Sequence, residues 1–499
     1  MEEVTALIQD CLGLYAEVTA DSYWGSPGGN VTLAYEFTNR SDVPVEITRL
    51  LSKEVGFDST LAAVLKNDVS LTFRNRVKVA DAVPYSDPYW LREPHGQGLF
   101  TVNDPGMIGK PENDAAASVA VTLQVAGDRL TLHMPVVFKW TDPVKGEQYR
   151  PFEIVPAVLV NLNESVMVFA DDAPRKIKVN VKAATDGNQQ GTLALKVPAG
   201  WKVLPATAPF TLSKRNEETM IEFVVTPSHQ EITTNLEAVA TVSDRTYNQS
   251  VQLISYDHIP TQTLLPKAEV RVVRVNLRKE GGVIGYISGA GDDIPAALRN
   301  MGYEVWEMKN DEVTADNLAR VDAVVLGVRA LNTNERIGYL MPTLLKYAEN
   351  GGTVVIQYNT NFGMETPNFA PYPITISRDR VTEEDAEVRI LQPSHPLLNH
   401  PNKITSADFD GWVQERGLYF PNKWDEHYTA LLSMNDKGED AKDGSLLVTD
   451  YGKGHFVYTG LSFFRELPEG VPGAYKLFAN LVSMGKQTKP ASAKVNKSK

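Results

Sequence analysis

Short runs of alternating apolar and polar residues fill the first half of the chain. Val31-Thr-Leu-Ala-Tyr-Glu-Phe alternates strictly, and the Asn39-Arg-Ser-Asp-Val-Pro that follows supplies a turn. The runs at 119–125, 130–139 and 154–160 repeat the pattern between Gly, Pro and Asp turns, so 16–156 is predicted to form a β-sandwich. An aromatic, Pro-rich insertion interrupts it: Tyr85-Ser-Asp-Pro-Tyr-Trp-Leu-Arg-Glu-Pro-His-Gly. Runs at 176–183, 191–197, 219–226 and 236–241 predict a second, immunoglobulin-like sandwich over 157–258. Ile259-Pro-Thr-Gln-Thr-Leu-Leu-Pro then predicts an interdomain linker at 259–268, because paired prolines stiffen a short connector.

Beyond the linker the period switches back and forth between strand and helix. Strands are predicted at 282–287, 303–308, 323–326 and 353–358, with helices at 294–301, 315–320 and 336–349. Late strands at 446–449 and 455–461 precede a closing helix at 473–484. Repeated strand–helix units imply a mostly parallel sheet covered on both faces, an α/β (flavodoxin-like) domain over 269–486. At the other end, Val4, Leu7, Ile8, Cys11, Leu12 and Leu14 keep helical spacing behind Glu2 and Glu3, which predicts a helix within 1–15. The small, polar, basic stretch 487–499 reads as a disordered tail.

Composition narrows the function classes. A chain of 499 residues is too long for one core and points to about three domains. A net charge of −13 argues against broad nucleic-acid or anionic-membrane binding. No apolar run approaches the ~20 residues that span a bilayer. The first residues lack the basic and apolar segments of a signal peptide, which makes the chain cytoplasmic as written. The single cysteine, Cys11, excludes an intrachain disulfide, a Cys-rich zinc site and a redox pair.

Several ordered motifs then carry a resemblance over nearly the whole chain. They are Tyr89-Trp-Leu-Arg-Glu-Pro-His-Gly, Trp140-Thr-Asp-Pro-Val-Lys-Gly-Glu, Gly285-Tyr-Ile-Ser-Gly-Ala-Gly-Asp-Asp-Ile-Pro, Leu326-Gly-Val-Arg-Ala-Leu-Asn-Thr-Asn-Glu-Arg, Gly351-Gly-Thr-Val-Val-Ile-Gln-Tyr-Asn-Thr and Gly454-His-Phe-Val-Tyr-Thr-Gly-Leu-Ser-Phe-Phe-Arg. Together they resemble the region that follows the zinc deacetylase domain in the large bacterial PIG-L/LmbE-like (GlcNAc-PI de-N-acetylase-like) proteins. The resemblance implies a parent activity that removes an N-acetyl group from an amino sugar, with zinc in an upstream domain absent here. That domain's Pro-His-Pro-Asp-Asp run does not occur in this chain; Pro94-His95-Gly96 lacks the acids, and His395 and His400 are spaced wrongly. The helix within 1–15 would be the last element of the missing domain. Group members are often exported, unlike this chain as written.

The last domain is similar to class I glutamine amidotransferase-like (ThuA-like) folds. In such folds the strand-to-turn junction at 353–359 carries a nucleophilic cysteine. Here it offers Gln357, Tyr358 and Asn359. Ser288 and Ser462 follow strands but lack the Gly-x-Ser-x-Gly setting of a nucleophile elbow. A hydrolytic zinc needs about three His or carboxylate ligands, and the eight histidines are scattered, so neither a metal nor another cofactor is expected in this chain.

Ligands of open α/β sheets sit outside the carboxyl ends of the strands. Those ends supply Asp292, Asp293, Arg329, Asn332, Asn334, Gln357 and Asn359, with His395 from a loop. Such amides, acids and a guanidinium suit a hydroxyl-rich ligand, a glycan or amino sugar. The same residues fit a structural reading, with Asp292 and Asp293 capping a helix, Asn332 and Asn334 shaping a turn and Arg329 tying loops. Tyr89, Trp90, Trp412 and Trp424 stand in insertions and suit either sugar stacking or packing between domains. Two functions follow: a non-catalytic, carbohydrate-binding or scaffolding region that serves a deacetylase domain or chain upstream, or a hydrolase or amidotransferase-like enzyme acting through Asp292, Gln357 or His395 without cysteine.

Overall fold

The computed structural model describes residues 2–96 and 98–484; the tail expected at 487–499 lies outside them. The protein is mostly β, with 43% strand against 14% helix, so sheets carry the cores. Three sheet systems follow one another along the chain.

In the first, seven strands lie in the spatial order Phe57–Leu65, Val45–Ser52, Ser118–Val125, Asp128–Asp142, Tyr15–Ala20, Asn30–Thr38 and Leu71–Lys78, with Gly146–Pro151 added beside Asp128–Asp142. The long strand Asp128–Asp142 pairs antiparallel with Ser118–Val125 up to Pro135, then parallel with Tyr15–Ala20 at Val136–Phe138. It thereby joins two halves around one core. Period-2 burial of Val31, Leu33, Tyr35 and Phe37 supplies that core from one strand face. The amino-terminal helix, Glu2–Cys11, is tied to the core through partly buried Ile8 and the buried Leu12 and Leu14 just beyond it, while Val4 and Leu7 face solvent.

The second system has a four-stranded sheet (Val158–Leu162, Arg175–Ala183, Glu218–Thr226, Lys202–Leu204). It also has a six-stranded one (Val166–Phe169, Glu269–Arg274, Ile232–Val242, Gln189–Lys196 and Ala208–Leu212, with Arg245–Tyr247 at Ile232–Val242). Both contribute to one core that holds Phe169, Trp201, Phe210 and Phe223. Two sequence expectations change here. The expected linker at 259–268 contains a strand, Ile259–Leu264, that forms a hairpin with Gln252–Tyr256. The expected boundary at 269 falls inside the second system, because Glu269–Arg274 pairs with Ile232–Val242 and Val166–Phe169. Its valines explain the misplacement: Val270 and Val272 face the second core, whereas Val273 and Val275 face the next one.

The third system is a seven-stranded sheet in the order Glu304–Glu307, Val283–Ile287, Ala323–Leu326, Thr353–Ile356, Gly454–Thr459, Leu446–Tyr451 and Thr429–Ala430. The first five strands run parallel and the last two antiparallel to their neighbours. Continuous apolar runs such as Ala323–Leu326 are buried on both faces, as parallel strands require. Val325, Val355 and Val457 enter the core shared with helix Pro472–Ser483. Leu326, Ile356 and Tyr458 enter the core shared with helix Ile337–Glu349. Helices are few and short: the one expected at 315–320 is Ala315–Leu318. Among the described residues no helix is long and apolar enough to cross a membrane.

Candidate functional site

The carboxyl ends of Val283–Ile287, Ala323–Leu326 and Thr353–Ile356 come together, and most of the expected site residues are there as the struts that shape them. Asp292 accepts from the Tyr286 hydroxyl (2.6 Å), the Ile294 amide (3.1 Å) and the Val328 amide (2.9 Å). One carboxylate thus ties a strand, the helix Ile294–Asn300 and the loop after the next strand. Asp293 takes the N-cap position of that helix with no side-chain cap bond and is exposed. The glycines have a packing reason: a Cβ on Gly289 would lie 2.1 Å from the Val328 carbonyl oxygen, and one on Gly327 2.3 Å from the Tyr286 hydroxyl.

The amides are spent similarly. Asn359, fully buried, accepts from the Leu331 amide (2.8 Å) and donates to the Gln357 carbonyl (2.8 Å). Asn332 donates to the Thr360 and Phe362 carbonyls and accepts from the Thr360 amide. Asn334 and Asn310 form a reciprocal amide pair (2.8 and 3.1 Å) beside an open groove of about 640 Å³ lined by Ser288, Glu307, Lys309 and Arg336. Gln357 is 1% exposed and donates to the Leu326 carbonyl, yet its Oε1 is buried without a partner among the described residues.

Arg329 differs from all of these. Its backbone is left-handed (φ 57°, ψ 22°) at the N-cap of Ala330–Thr333, and its amide donates to the Tyr358 carbonyl (2.8 Å). Its Nε is buried without a partner, and among the described residues it forms no ion pair, unlike Arg299, Arg389 and Arg465. Beside it lies a group of rings absent from the sequence-derived set. Tyr358 is stacked against Tyr419 (6.1 Å, 10°) and tilted against Phe464 (5.2 Å), and Phe362 meets Tyr419 edge-on (6.5 Å). Tyr358, Tyr419 and Phe464 are half-buried, whereas Phe362 is exposed. Burial pushes the Tyr358 phenol above its ordinary range; the Arg329 and Arg465 charges pull it back, and Glu415 and Tyr419 push it up. Tyr419 (φ 54°) and Gln414 (φ 68°) share the left-handed backbone of Arg329. Three such non-glycine residues around one group of rings mark it as the candidate site.

Beneath the rings lies a buried acid. Glu466 accepts from the Val413 amide (2.9 Å) and lies 3.2 Å from the Ser462 hydroxyl oxygen, and burial pushes its carboxyl up to about 8. Burial likewise lowers the neighbouring Arg416, whose Nε donates to the Ala386 carbonyl (3.0 Å). Arg465 pairs with Glu415 at 2.9 Å. Ser462 donates to the Glu415 carbonyl (2.5 Å) and is fully buried, so it has no open face for a nucleophile's role. In the sequence, the signal for this group was Ser-Phe-Phe-Arg-Glu directly after the last parallel strand.

His395 does not join the strand-end group. Burial lowers its imidazole, and the charges that act on it are those of Asp450 and His455, at the opposite end of the sheet where Thr353 starts its strand beside His455. Its Nδ1 accepts from the Leu397 amide (3.2 Å) and caps a short turn. Trp412 is 3% exposed, packs between Phe409 and Phe463 and donates to the Asp408 carbonyl, which makes it core. Trp424 is half-buried against the core on the other face of the sheet. Tyr89 and Trp90 do sit by cavities, Tyr89 in one of about 620 Å³ and Trp90 in one of about 380 Å³ shared with Glu153 and Thr263. Among the described residues no three His, Cys, Asp or Glu side chains converge as metal ligands, so the chain has no described group fitted to zinc.

No family model matches the chain, and no curated protein matches it. Among solved structures it is similar to a GMP synthase subunit from Thermoplasma acidophilum, with 10% identity, 41% of this chain, 94% of that one and a TM-score of 0.28. It is similar also to red sea bream transglutaminase (9% identity, 52% of this chain, 33% of that one, TM-score 0.23). A third likeness is to E. coli alpha-2-macroglobulin (9% identity, 52% of this chain, 16% of that one, TM-score 0.18). At these scores the likenesses carry no argument about fold or function.

Proposed function

We propose that this chain is a non-catalytic, glycan-binding region of a PIG-L/LmbE-like de-N-acetylase, built from two immunoglobulin-like sandwiches and a cysteine-less amidotransferase-like (ThuA-like) domain. The observation that carries the proposal is the occupant of the strand-end junction. Tyr358 stands there among Tyr419, Phe464 and Phe362, with Arg329 alongside. Flat rings at such a place offer pyranose faces a stacking surface, and a guanidinium donates to hydroxyl or carbonyl oxygens. The enzyme alternative acts through Asp292, Gln357 or His395. Asp292 spends its oxygens on three donors, and His395 interacts with groups at the other sheet end.

Calorimetric titration with N-acetylglucosamine oligomers and other glycan oligomers tests this. The expected outcome is saturable binding that Tyr358→Ala weakens at least tenfold, with the sugars recovered unchanged. Turnover of any of these sugars that is abolished by Asp292→Ala would refute it in favour of an enzyme.

A further inference from the structure

We infer that the glycan held at Tyr358 carries an anionic group, a carboxylate or phosphate on the sugar, and that Arg329 is the residue that selects it. The inference rests on the glycan-binding reading of this site and goes further by assigning the charge of the ligand. Four observations support it.

Arg329 is uncompensated. Its Nε is buried and unpartnered, and no carboxylate forms an ion pair with it among the described residues. A buried donor left without an acceptor destabilises the chain, so the group gains most from a partner that arrives with the ligand. Gln357, just after the strand that ends at Ile356, leaves its buried Oε1 without a partner too, so both a donor and an acceptor wait at this strand end.

The backbone that presents Arg329 is left-handed, a conformation glycine adopts freely and other residues adopt only with strain. A long cationic side chain is held there although glycine would be the easier occupant. The side chain, rather than the turn, explains the residue.

Guanidinium groups stand against the rings of the site, Arg465 with its guanidinium carbon 4.9 Å from the Phe464 ring. Arg329 and Arg465 both act on the Tyr358 phenol, as does the Glu415 carboxylate, while the Asp292 carboxylate is held by the Val328 amide behind Arg329. Glu415 is already engaged by Arg465. Arg378 adds a further cation, its guanidinium carbon 5.9 Å above the Phe362 ring. The chain as a whole carries −13, so cations gathered at these rings stand against the overall charge. A neutral sugar would leave the Arg329 charge unanswered.

The geometry suits such a ligand. A guanidinium fork matches the planar oxygens of a carboxylate or two oxygens of a phosphate, while the adjacent rings take the apolar face of the same sugar. Backbone held by Asp292, Asn332 and Asn359 fixes the loops, so little ordering is left to the binding step.

The test uses the whole chain and four probes: tetragalacturonate, its methyl ester, chitotetraose (N-acetylated) and glucose 6-phosphate, each titrated calorimetrically at 50 and 300 mM salt. Tetragalacturonate or glucose 6-phosphate is expected to bind at least tenfold tighter than the neutral probes, with the advantage shrinking at high salt. Which of the two acids binds tighter separates a carboxylate from a phosphate ligand. Arg329→Gln should abolish the advantage, and Arg329→Gly should do so while folding at least as stably, since glycine relieves the left-handed backbone. Equal binding of acid and neutral probes, or an acid preference untouched by Arg329→Gln, overturns the inference and leaves glycan binding standing. No binding of any probe overturns both.

Discussion

Replacing Glu466 by glutamine should remove a pH dependence of stability between about pH 4.5 and 8. The carboxyl is fully buried, with a pKa pushed up to about 8 from an ordinary 4.5, chiefly by burial. Between those values the folded chain keeps a proton that the unfolded chain releases. More protons bound in the folded state means that stability falls as pH rises through this window. The contribution is fully present below about 4.5 and lost above about 8. A shift of this size corresponds to roughly 5 kcal/mol as a ceiling, and 3 kcal/mol is a prudent expectation. Glutamine is of like shape, can accept from the Val413 amide, and never ionises. Urea unfolding followed by near-ultraviolet dichroism at pH 5, 7 and 9 reads the difference between variant and parent. The variant should lie within about 1 kcal/mol of the parent at pH 5 and exceed it by about 3 kcal/mol at pH 9. A difference that stays constant across the three pH values would show that Glu466 titrates as an ordinary surface acid and refute the reasoning.

Two further outcomes follow from the same contacts. Asp292→Ala strands the Tyr286 hydroxyl and the amides of Ile294 and Val328, and should lower the urea midpoint by the equivalent of about 3 kcal/mol. Trp412→Ala empties a core position between Phe409 and Phe463 and should cost about 3–5 kcal/mol, while glycan affinity measured on the folded fraction stays at the parent value.

The sequence made the third sheet legible because its strands have a simple cause. Runs such as Ala323–Leu326 and Thr353–Ile356 are apolar on both faces and sit between helical segments, a pattern that parallel strands produce and half-exposed ones do not. Boundaries were read poorly where one strand serves two cores. Glu269–Arg274 sends Val270 and Val272 one way and Val273 the other, so its text looks like the start of the next domain although its hydrogen bonds belong to the previous one. Ile259–Leu264 was read as linker for its prolines, yet Pro260 sits in a two-stranded ribbon, where an edge position needs no donor from it.

The site was legible by place and not by role. Asp292, Asn332 and Asn359 all lie at the strand ends where a ligand is expected, but each uses its polar atoms to hold the protein's own backbone. Composition cannot distinguish an amide that fixes a loop from one that meets a sugar; only a count of satisfied donors and acceptors can. That count separates Arg329 and Gln357, whose buried Nε and Oε1 go unanswered, from Asp292, Asn332 and Asn359. Tyr419 and Phe464 come from segments far from Tyr358 in the chain, and no local period announces that they meet. The two facts belong together. A surface that spends so many hydrogen bonds on fixing three loops has its ordering cost met at folding, which favours tight, geometry-dependent recognition over chemistry that needs a mobile nucleophile. On the binding reading, loosening a strut such as Asn332 should weaken glycan affinity without touching any ligand contact, through the loop that presents Phe362. Calorimetric titration of Asn332→Ala checks this, and an affinity equal to the parent's would show that the loop needs no such strut.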